Sequence, residues 1–475
     1  MWVFKIMKST VQMTTVLLLS TILPLITACS AQSQRIEADI VFENVNVVPM
    51  NEERISPHQM VAVRDGQIIA ILDQAEADTI DADRRIEGNG RYLMPGLADM
   101  HIHMRMQPQA LFNLALANGV TTIANMRLAD GDGNVDHLQL RADIASGVMT
   151  GPRYLVSGPM LTPDNLPSVD DIAPMLDQHV EARYDVVKIH ADLDFDIYDA
   201  LIKGARERGL RVTGHGQHQM PLAQTLRMDS IEHAEEFLYT SHEGFGDIAA
   251  DFFEFMPTYF DHLERLNDPE YRAPIIRDVA ASGIFIDPTL VIYSMIPVWV
   301  DDSQFAAHHA DPRLIYIPQG TRDWYLGADT NPYRGEDFPL SAEHFEDNLD
   351  ILNTLIFELN QAGVSLLLGS DSFGTLVPGF SAHRELELMV EAGLTPYQAL
   401  RTGTVNVAAY LEESDHAGTL EVGKLADFIL LSENPLIDIT NARTVEGVYT
   451  QEIWHARADL NIMLEEAASG NAEWN

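Results

Sequence analysis

The first part of the chain alternates hydrophobic and polar positions over short runs that are typical of β-strands. Two of these runs, residues 60–63 and 67–72, flank the pair Asp65-Gly66. An Asp-Gly pair between β-branched runs is a strong signal for a two-residue hairpin. We therefore predict a small all-β unit over residues 39–95.

From residue 96 onward, short apolar runs alternate with longer stretches of helical periodicity. One such stretch is a predicted helix from about Phe195 to Arg208, which Gly209 ends. Strands that alternate with helices favour a parallel sheet, and eight alternations predict an α/β fold with a (β/α)8 TIM barrel over residues 96–418. The predicted strands are the run ending at His103 and residues 120–124, 153–157, 185–190, 210–215, 229–233, 283–287 and 364–369.

The strand pattern returns at residues 426–431 and 445–449. We predict that these strands join the N-terminal ones in a small composite β-sandwich domain built from both chain ends. The predicted divisions are 1–29 as a lipoprotein signal peptide, 30–38 as a linker, 39–95 and 419–460 as the two parts of the sandwich, 96–418 as the barrel and 461–475 as a tail.

Two segments, residues 237–282 and 291–341, are longer than a barrel of this kind needs. The second begins just after the carboxyl end of a predicted strand, where the active sites of such barrels lie. We interpret it as a lid, the alternatives being surface helices or a contact between subunits of a homo-oligomer. It carries Tyr293, Trp299, Tyr316, Trp324, Tyr325 and Tyr333.

The charge of the chain limits its partners. It has 475 residues, of which 46% are hydrophobic, and 71 acidic against 30 basic side chains give a net charge of −41. Nucleic acid and anionic membrane surfaces are therefore poor electrostatic partners. A small-molecule substrate remains compatible with this balance.

The N-terminus has the pattern of a targeting segment. Lys5 and Lys8 precede an apolar stretch over about residues 11–28, and Cys29 follows small residues. This run resembles a bacterial lipobox, which implies lipidation of Cys29, although an ordinary signal peptide ending nearby is the alternative. Ser30 after the cysteine is typical of outer-membrane sorting in Gram-negative bacteria. We therefore expect a lipid-anchored protein of the cell envelope, at the outer membrane or in the periplasm.

Six side chains of ligand type lie at or near the ends of five predicted barrel strands. Cys29 is the only cysteine, so thiolate metal sites and disulfides are excluded. His101 and His103 are two positions apart, and a strand directs such a pair to one face. Because imidazole is a common metal ligand and the strand ends of a barrel share one face, we expect a metal site there. The six residues are His101, His103, Lys188, His215, His233 and Asp371.

These motifs, in this order, resemble the amidohydrolase superfamily over about residues 39–460. The pattern begins with Pro-Gly-Leu-x-Asp-x-His-x-His at residues 95–103. It is nearest to the branch of imidazolonepropionase-like enzymes and metal-dependent Xaa-Pro dipeptidases. The resemblance implies two divalent ions, with Zn²⁺ the expected metal and Mn²⁺, Fe²⁺ or Co²⁺ also compatible.

The same resemblance implies a role for each of the six residues. His101, His103 and Asp371 would bind one ion, His215 and His233 would bind the second, and Lys188 would bridge the two as a CO₂-derived carbamate. Burial lowers the pKa of a lysine and makes its neutral amine available for this addition. The alternative is a lysine that pairs with an acid such as Asp371 or Glu232.

We expect a metal-dependent amidohydrolase that cleaves a C–N bond of a small molecule, such as a dipeptide or an N-acyl amino acid. A hydroxide held by the metals would attack the carbonyl, and Asp371 would carry the proton to the leaving nitrogen. One alternative is a mononuclear cyclic-amide hydrolase or deaminase, in which Lys188 is structural. Another is a non-enzymatic envelope lipoprotein that binds a ligand.

Several other residues are weaker candidates. His190 lies two positions after Lys188 and is a candidate for substrate contact, as is Tyr239; His218 and His383 are weaker still. Many relatives have Gly-Gly-His after the third strand and Arg-Asp after the second. This chain has residues 161–165 (Leu-Thr-Pro-Asp-Asn) and residues 125–126 (Asn-Met) instead, so the sequence leaves the substrate open.

Overall fold

The computed structural model describes residues 35–126, 135–238, 240–242, 244, 265–335, 338 and 341–471. The predicted signal peptide, Cys29 and Tyr239 lie outside the described residues. Within the described part of the chain, no helix is both long enough and apolar enough to cross a lipid bilayer.

One mixed sheet contains strands from both ends of the chain. Its strands are β1 (Ile36–Val47), β2 (Ser56–Arg64), β3 (Gln67–Asp73), β4 (Ile80–Glu87), β5 (Tyr92–Pro95), β13 (Phe428–Leu431), β14 (Val445–Thr450) and β15 (Ile453–Ala456). They run in the order β15-β14-β13-β5-β1-β2-β3, and β4 pairs with β1. The junction between the two chain ends is therefore the antiparallel pairing of β5 with β13.

The hairpin prediction is confirmed. β2 and β3 pair antiparallel around Asp65 and Gly66, whose φ angles are 50° and 70°. Two positive φ angles match the right-handed strand twist, and Asp-Gly adopts them at low cost. Strand β1 is continuous from Ile36 to Val47, and its register with β2 shifts between Phe42 and Val45.

Both faces of β1 are buried, because its side chains alternate between two apolar clusters. Val41 packs on one face, and Phe42 packs on the other. The Phe42 ring lies 4.9 Å from the ring of Phe428 and 5.0 Å from that of Trp454, in edge-on arrangements. These contacts tie the two ends of the chain together.

The central part of the chain forms parallel strands that alternate with helices, which confirms the α/β class. One sheet holds β6 (Leu97–Ile102), β7 (Val120–Asn125) and β8 (Arg153–Val156), and the other holds β9 (Val187–Ile189), β10 (Val212–Gly214), β11 (Ser230–Glu232) and β12 (Phe285–Asp287). The predicted eighth strand, residues 364–369, is not a continuous strand. Leu366 makes a single bridge to Ile286, and Leu368 O accepts a hydrogen bond from Met100 N at 2.7 Å.

The helices pack around these strands, in one large apolar core. The α-helices of the described residues are α1 (Pro108–Ala117), α2 (His137–Ala145), α3 (Ile172–Ala182), α4 (Phe195–Glu207), α5 (Leu222–Thr225), α6 (Pro269–Ser282), α7 (Leu290–Val300), α8 (Asp302–His308), α9 (Gln319–Tyr325), α10 (Ala342–Gln361), α11 (Phe380–Glu391), α12 (Pro396–Thr402), α13 (Val405–Tyr410) and α14 (Arg457–Asn471). The 3₁₀ helices are Gln74–Thr79, Val169–Asp171, Ala234–Leu238, Pro312–Tyr316, Pro332–Arg334 and Ile439–Arg443. The predicted glycine stop after α4 is confirmed, since Gly209 has a φ of 66°.

Candidate metal centre

The predicted ligands lie at the carboxyl ends of the parallel strands. His101 is within β6 and Lys188 is within β9, whereas His215 and His233 directly follow β10 and β11. Each of these strands is short and fully buried. Asp371 follows the extended segment next to β6, and its backbone N donates to His101 O at 2.6 Å.

His101, His103 and Asp371 form one compact group. Asp371 Oδ1 lies 2.9 Å from His103 Nε2 and 3.5 Å from His101 Nε2. Candidate ligand atoms of these three residues lie within 4.8 Å of one another, which is close enough to hold one ion. Neither ring nitrogen of the buried His101 has a hydrogen-bond partner in the described part of the chain.

The other two predicted histidines continue from this group. The ring of His233 lies 5.0 Å from that of His101 and 4.8 Å from that of His215. His233 and His101 form a second compact group with Glu232 rather than with His215. The structure therefore brings the rings of all four histidines together, and we call the space that they surround the chamber. His215, whose side chain is 23% exposed, lies at its outer side.

Lys188 is buried and lies against Glu232, where its Nζ contacts Oε2 of the carboxylate. This contact is the pairing that the sequence left open as the alternative to a carbamate. Burial lowers the pKa of Lys188 to about 7. A substantial fraction of the amine is therefore neutral near neutral pH, which is the form that adds to CO₂.

Burial also keeps three of the histidines, His101, His215 and His233, neutral. It lowers the pKa of His215 to about 4 and that of His233 to about 3, and it holds the pKa of His101 well below its usual value. Burial opposes ionisation of Asp371, but His103 and other neighbours keep its pKa below the usual value. Neutral imidazoles and an ionised carboxylate are the forms that bind a divalent ion. The donor set thus fits a metal site.

Hydrogen bonds orient two of the rings through Nδ1. His215 Nδ1 donates to Glu236 Oε1 at 2.7 Å, and His233 Nδ1 is hydrogen-bonded to Thr289 Oγ1 at 2.7 Å. Because an ionised carboxylate only accepts, the bond to Glu236 requires the proton of His215 on Nδ1 and leaves its Nε2 as the ligand atom. Sequence reasoning did not identify Glu236 or Thr289, because Glu236 lies in the 3₁₀ helix after β11 and a threonine is not among the ligand types that were sought.

Sequence reasoning also missed Asp287, the last residue of β12. Its Oδ2 lies 3.7 Å from His101 Nδ1, and burial raises the pKa of Asp287 well above its usual value. A ligand-type residue at a strand end was the signal used for the other positions, and it was present here too. Gly369 provides space for this carboxylate, since a Cβ there would lie 2.1 Å from Asp287 Oδ2.

Three residues of the site have left-handed backbone conformations. The φ angles are 65° for His233, 48° for Thr289 and 40° for Asp371. Non-glycine residues rarely adopt this region, and the cost is of order 1–3 kcal/mol each. Their clustering around one chamber is typical of a functional site, where surrounding contacts enforce the conformation.

The weaker candidates have different surroundings. His190 is exposed, and its ring lies 4.9 Å from that of His215, so it stands beside the chamber. Burial opposes the charging of His218, but Glu236 and Asp192 outweigh it and raise its pKa to about 10. His383 is buried away from the histidine group and bonds to Asn118 O at 2.8 Å, which indicates a role in packing.

Part of the long segment after β12 packs next to Asp371. Trp299 is fully buried, and its ring lies 5.2 Å from that of Tyr325, 5.1 Å from that of Tyr333 and 6.0 Å from that of Phe373. Phe373 is two residues after Asp371. We call these four residues the aromatic cluster.

Relatives of this chain include enzymes of several specificities. Imidazolonepropionase of Pseudomonas putida is 42% identical over 76 residues, 15% of this chain and 18% of that protein. Adenine deaminase of Desulforamulus reducens is 26% identical over 195 residues, 38% of this chain and 32% of that protein. The aligned part of the chain thus spans about a third or less of these curated relatives.

Solved structures and a family model cover more of the chain. A Xaa-Pro dipeptidase with bound methionine superposes with a TM-score of 0.61 at 17% identity, covering 88% of this chain and 99% of that one. At this identity the likeness concerns the fold. The amidohydrolase family model matches residues 92–452. This match covers well over half of the chain, from β5 to β14, and includes every predicted ligand, so the chain belongs to the amidohydrolase family.

Proposed function

We propose that the protein is a metal-dependent hydrolase that cleaves a C–N bond of a small molecule. The observation that carries this proposal is the convergence of four histidines, one lysine and one aspartate at the ends of parallel strands, with both His101 nitrogens buried and without hydrogen-bond partners. A buried polar atom without a partner costs about 1–3 kcal/mol, which a bound cation would recover. We further propose that the seven strands and residues 364–369 close into a barrel, which the bridges around Leu366 support.

We propose that the site takes two divalent ions. His101, His103 and Asp371 would hold one, and His215 and His233 would hold the other with Lys188 between them. Ions of this kind supply Lewis acidity towards a carbonyl oxygen and lower the pKa of water to about 7. His215 and His233 offer Nε2 to the site because their Nδ1 atoms are engaged elsewhere.

Lys188 would act as a carbamate. Its neutral amine forms a bond to the carbon of CO₂ and releases one proton, and the product is an anionic carboxylate on a long side chain. The lowered pKa supports this step, since a protonated amine has no lone pair to donate. Glu232, which now contacts Nζ, would then flank the carbamate.

Asp371 would move the proton. It is ionised, is buried, and has a carboxylate oxygen within hydrogen-bonding distance of His103. It would accept a proton from the attacking water and deliver it to the leaving nitrogen, which avoids expulsion of an unstable amide anion.

The aromatic cluster favours a substrate with an apolar side chain or ring. Phe373 and Tyr325 are half-buried, so each presents part of its ring beyond the packed core. A dipeptide or N-acyl amino acid with such a group would place its scissile carbonyl near Asp371 and its apolar part on the cluster. The dipeptidase structure with bound methionine is consistent with this substrate class.

A second candidate is a mononuclear deaminase, in which Lys188 remains paired with Glu232. The adenine deaminase relative and the Lys188–Glu232 contact favour it. The metal stoichiometry distinguishes the two. Two ions per chain and a CO₂-dependent recovery of activity support the carbamate, whereas one ion and no CO₂ dependence support the deaminase.

We also propose that the protein is anchored to the cell envelope through lipid on Cys29, as the sequence pattern favours. Mass spectrometry of the protein from membranes would detect a diacylglyceryl group on this residue. A mature N-terminus that lacks this group would contradict the anchor.

The central test is a substrate screen with zinc-loaded protein. Dipeptides, N-acyl amino acids, lactams and aminopurines would be compared by release of amine or ammonia. We expect hydrolysis of an amide with an apolar side chain. Inactivity towards all amides, together with ammonia release from an aminopurine, would replace the main proposal with the deaminase.

A further inference from the structure

Behind His215 lies a row of four side chains that are alternately basic and acidic. His215 Nδ1 donates to Glu236 Oε1 at 2.7 Å. His218 Nε2 donates to the other oxygen, Oε2, at 2.5 Å, and His218 Nδ1 donates to Asp192 Oδ2 at 2.9 Å. We call this row the Asp192–Glu236 relay.

Glu236 is the best-anchored member of the relay. It is 2% exposed, and its Oε2 also accepts a hydrogen bond from the backbone N–H of Gly216 at 2.7 Å. A Cβ at Gly216 would lie 3.0 Å from this oxygen, so the absence of a side chain there gives the carboxylate its space. Because Oε2 accepts hydrogen bonds from both His218 and Gly216, the other oxygen, Oε1, is directed towards His215.

The relay runs outward from the chamber. His215 belongs to the strand end after β10, whereas Asp192 follows β9 and reaches the surface, with 19% of its side chain exposed. Asp192 Oδ1 also accepts from Gln219 N at 3.2 Å, which ties the two loops together. His218 therefore has carboxylates on both ring nitrogens and cannot turn without losing both.

We propose that Glu236 is a positioning residue for His215, and that His218, clamped by Asp192, holds Glu236 in the orientation that directs His215 Nε2 to the ion. The affinity of one metal position is thereby set by residues that do not touch the metal. This inference rests on the proposed function, because it requires an ion on His215. Residues that hydrogen-bond to a metal-ligating histidine without touching the metal commonly contribute about 10- to 100-fold to metal affinity.

The test measures Zn²⁺ affinity in the full chain by competition with a fluorescent chelator. We expect wild type to bind two ions, and Glu236→Gln to bind one of them about 10- to 100-fold more weakly. The reason is that an amide has a single acceptor oxygen, whereas the carboxylate accepts from His215 Nδ1, His218 Nε2 and Gly216 N. The other ion should stay within about threefold. Glu207→Gln, at an exposed glutamate of α4, is the matched control and should equal wild type.

A double-mutant cycle separates positioning from general stabilisation. His218→Asn should weaken the same ion by less than Glu236→Gln does, and it should add little in the Glu236→Gln background, since both act through one carboxylate. Additive effects, or equal weakening of both ions, would overturn the inference. Wild-type affinity in folded Glu236→Gln would overturn it as well.

A second readout does not depend on metal. In metal-free wild type, ¹⁵N spectra should show the His215 ring protonated at Nδ1, and Glu236→Gln or His218→Asn should shift the ring towards a mixture of tautomers. An unchanged tautomer would overturn the inference. Wild type that binds no Zn²⁺ but shows the expected tautomer shift would overturn the proposed function and leave the positioning of His215 by Glu236 supported.

Discussion

His233 and Thr289 are joined by a hydrogen bond of 2.7 Å between Nδ1 and Oγ1, although 56 residues separate them. The backbone N of His233 also donates to Asp287 O at 2.7 Å. The turn that carries Thr289 is itself held by the buried Glu385, which accepts from Leu290 N at 3.0 Å and Val291 N at 2.7 Å. His233, a proposed ligand, is therefore held through its backbone by the end of β12 and through its ring by the residue before α7.

Thr289 provides the first prediction. Thr289→Val has the same shape without the hydroxyl, and we expect Zn²⁺ binding to weaken about tenfold because this hydrogen bond no longer holds the His233 ring in place. Thr289→Ser retains the hydroxyl and should bind as wild type does. Chelator competition measures both affinities, and equal affinity in the two variants would exclude this role of the hydroxyl.

Asp371→Asn should separate metal binding from turnover. The amide keeps an oxygen for the ion but cannot accept the proton, so we expect kcat to fall by about 10²–10⁴-fold. Metal content by mass spectrometry should stay close to that of wild type. Near-normal kcat with full metal content would remove Asp371 from proton transfer.

The lowered pKa of Lys188 predicts a pH dependence of stability in metal-free protein. Because the folded state binds this proton less tightly than the unfolded state, the free energy of unfolding should rise with pH between about 7, the folded pKa, and 10.5, the unfolded value. The slope is at most about 1.4 kcal/mol per pH unit. Lys188→Met should lose this rise. Urea unfolding across that range measures the difference, and parallel curves for the two proteins would contradict it.

Phe373 tests the apolar part of the substrate site. Phe373→Ala should raise KM for substrates with large apolar side chains and leave KM for glycine-containing analogues within about twofold, because only the former lose buried contact area. Phe357→Ala, at a ring that is 38% exposed in α10, is the control. An equal loss for both substrate classes would assign Phe373 to folding instead.

Phe42 tests the junction of the two chain ends. Phe42→Ala should lower the free energy of unfolding by about 3–5 kcal/mol, since it removes a fully buried ring from contact with Phe428 and Trp454. Val422→Ala, at a 60% exposed side chain, should change it by less than about 0.5 kcal/mol. Denaturant unfolding provides both values.

The sequence by itself determined the α/β class, the Asp65-Gly66 hairpin, the glycine that ends α4 and the resemblance to the family, because each depends on local periodicity, turn chemistry or ordered motifs. It also identified the six ligand candidates, since neighbouring parallel strands bring their carboxyl ends to the same edge of a sheet. Only the tertiary structure decided that Lys188 lies against Glu232, that Asp287 approaches His101, and that Glu236 and Thr289 orient His215 and His233. These are contacts between side chains on different strands and turns, and sequence spacing does not fix the packing distances that create them.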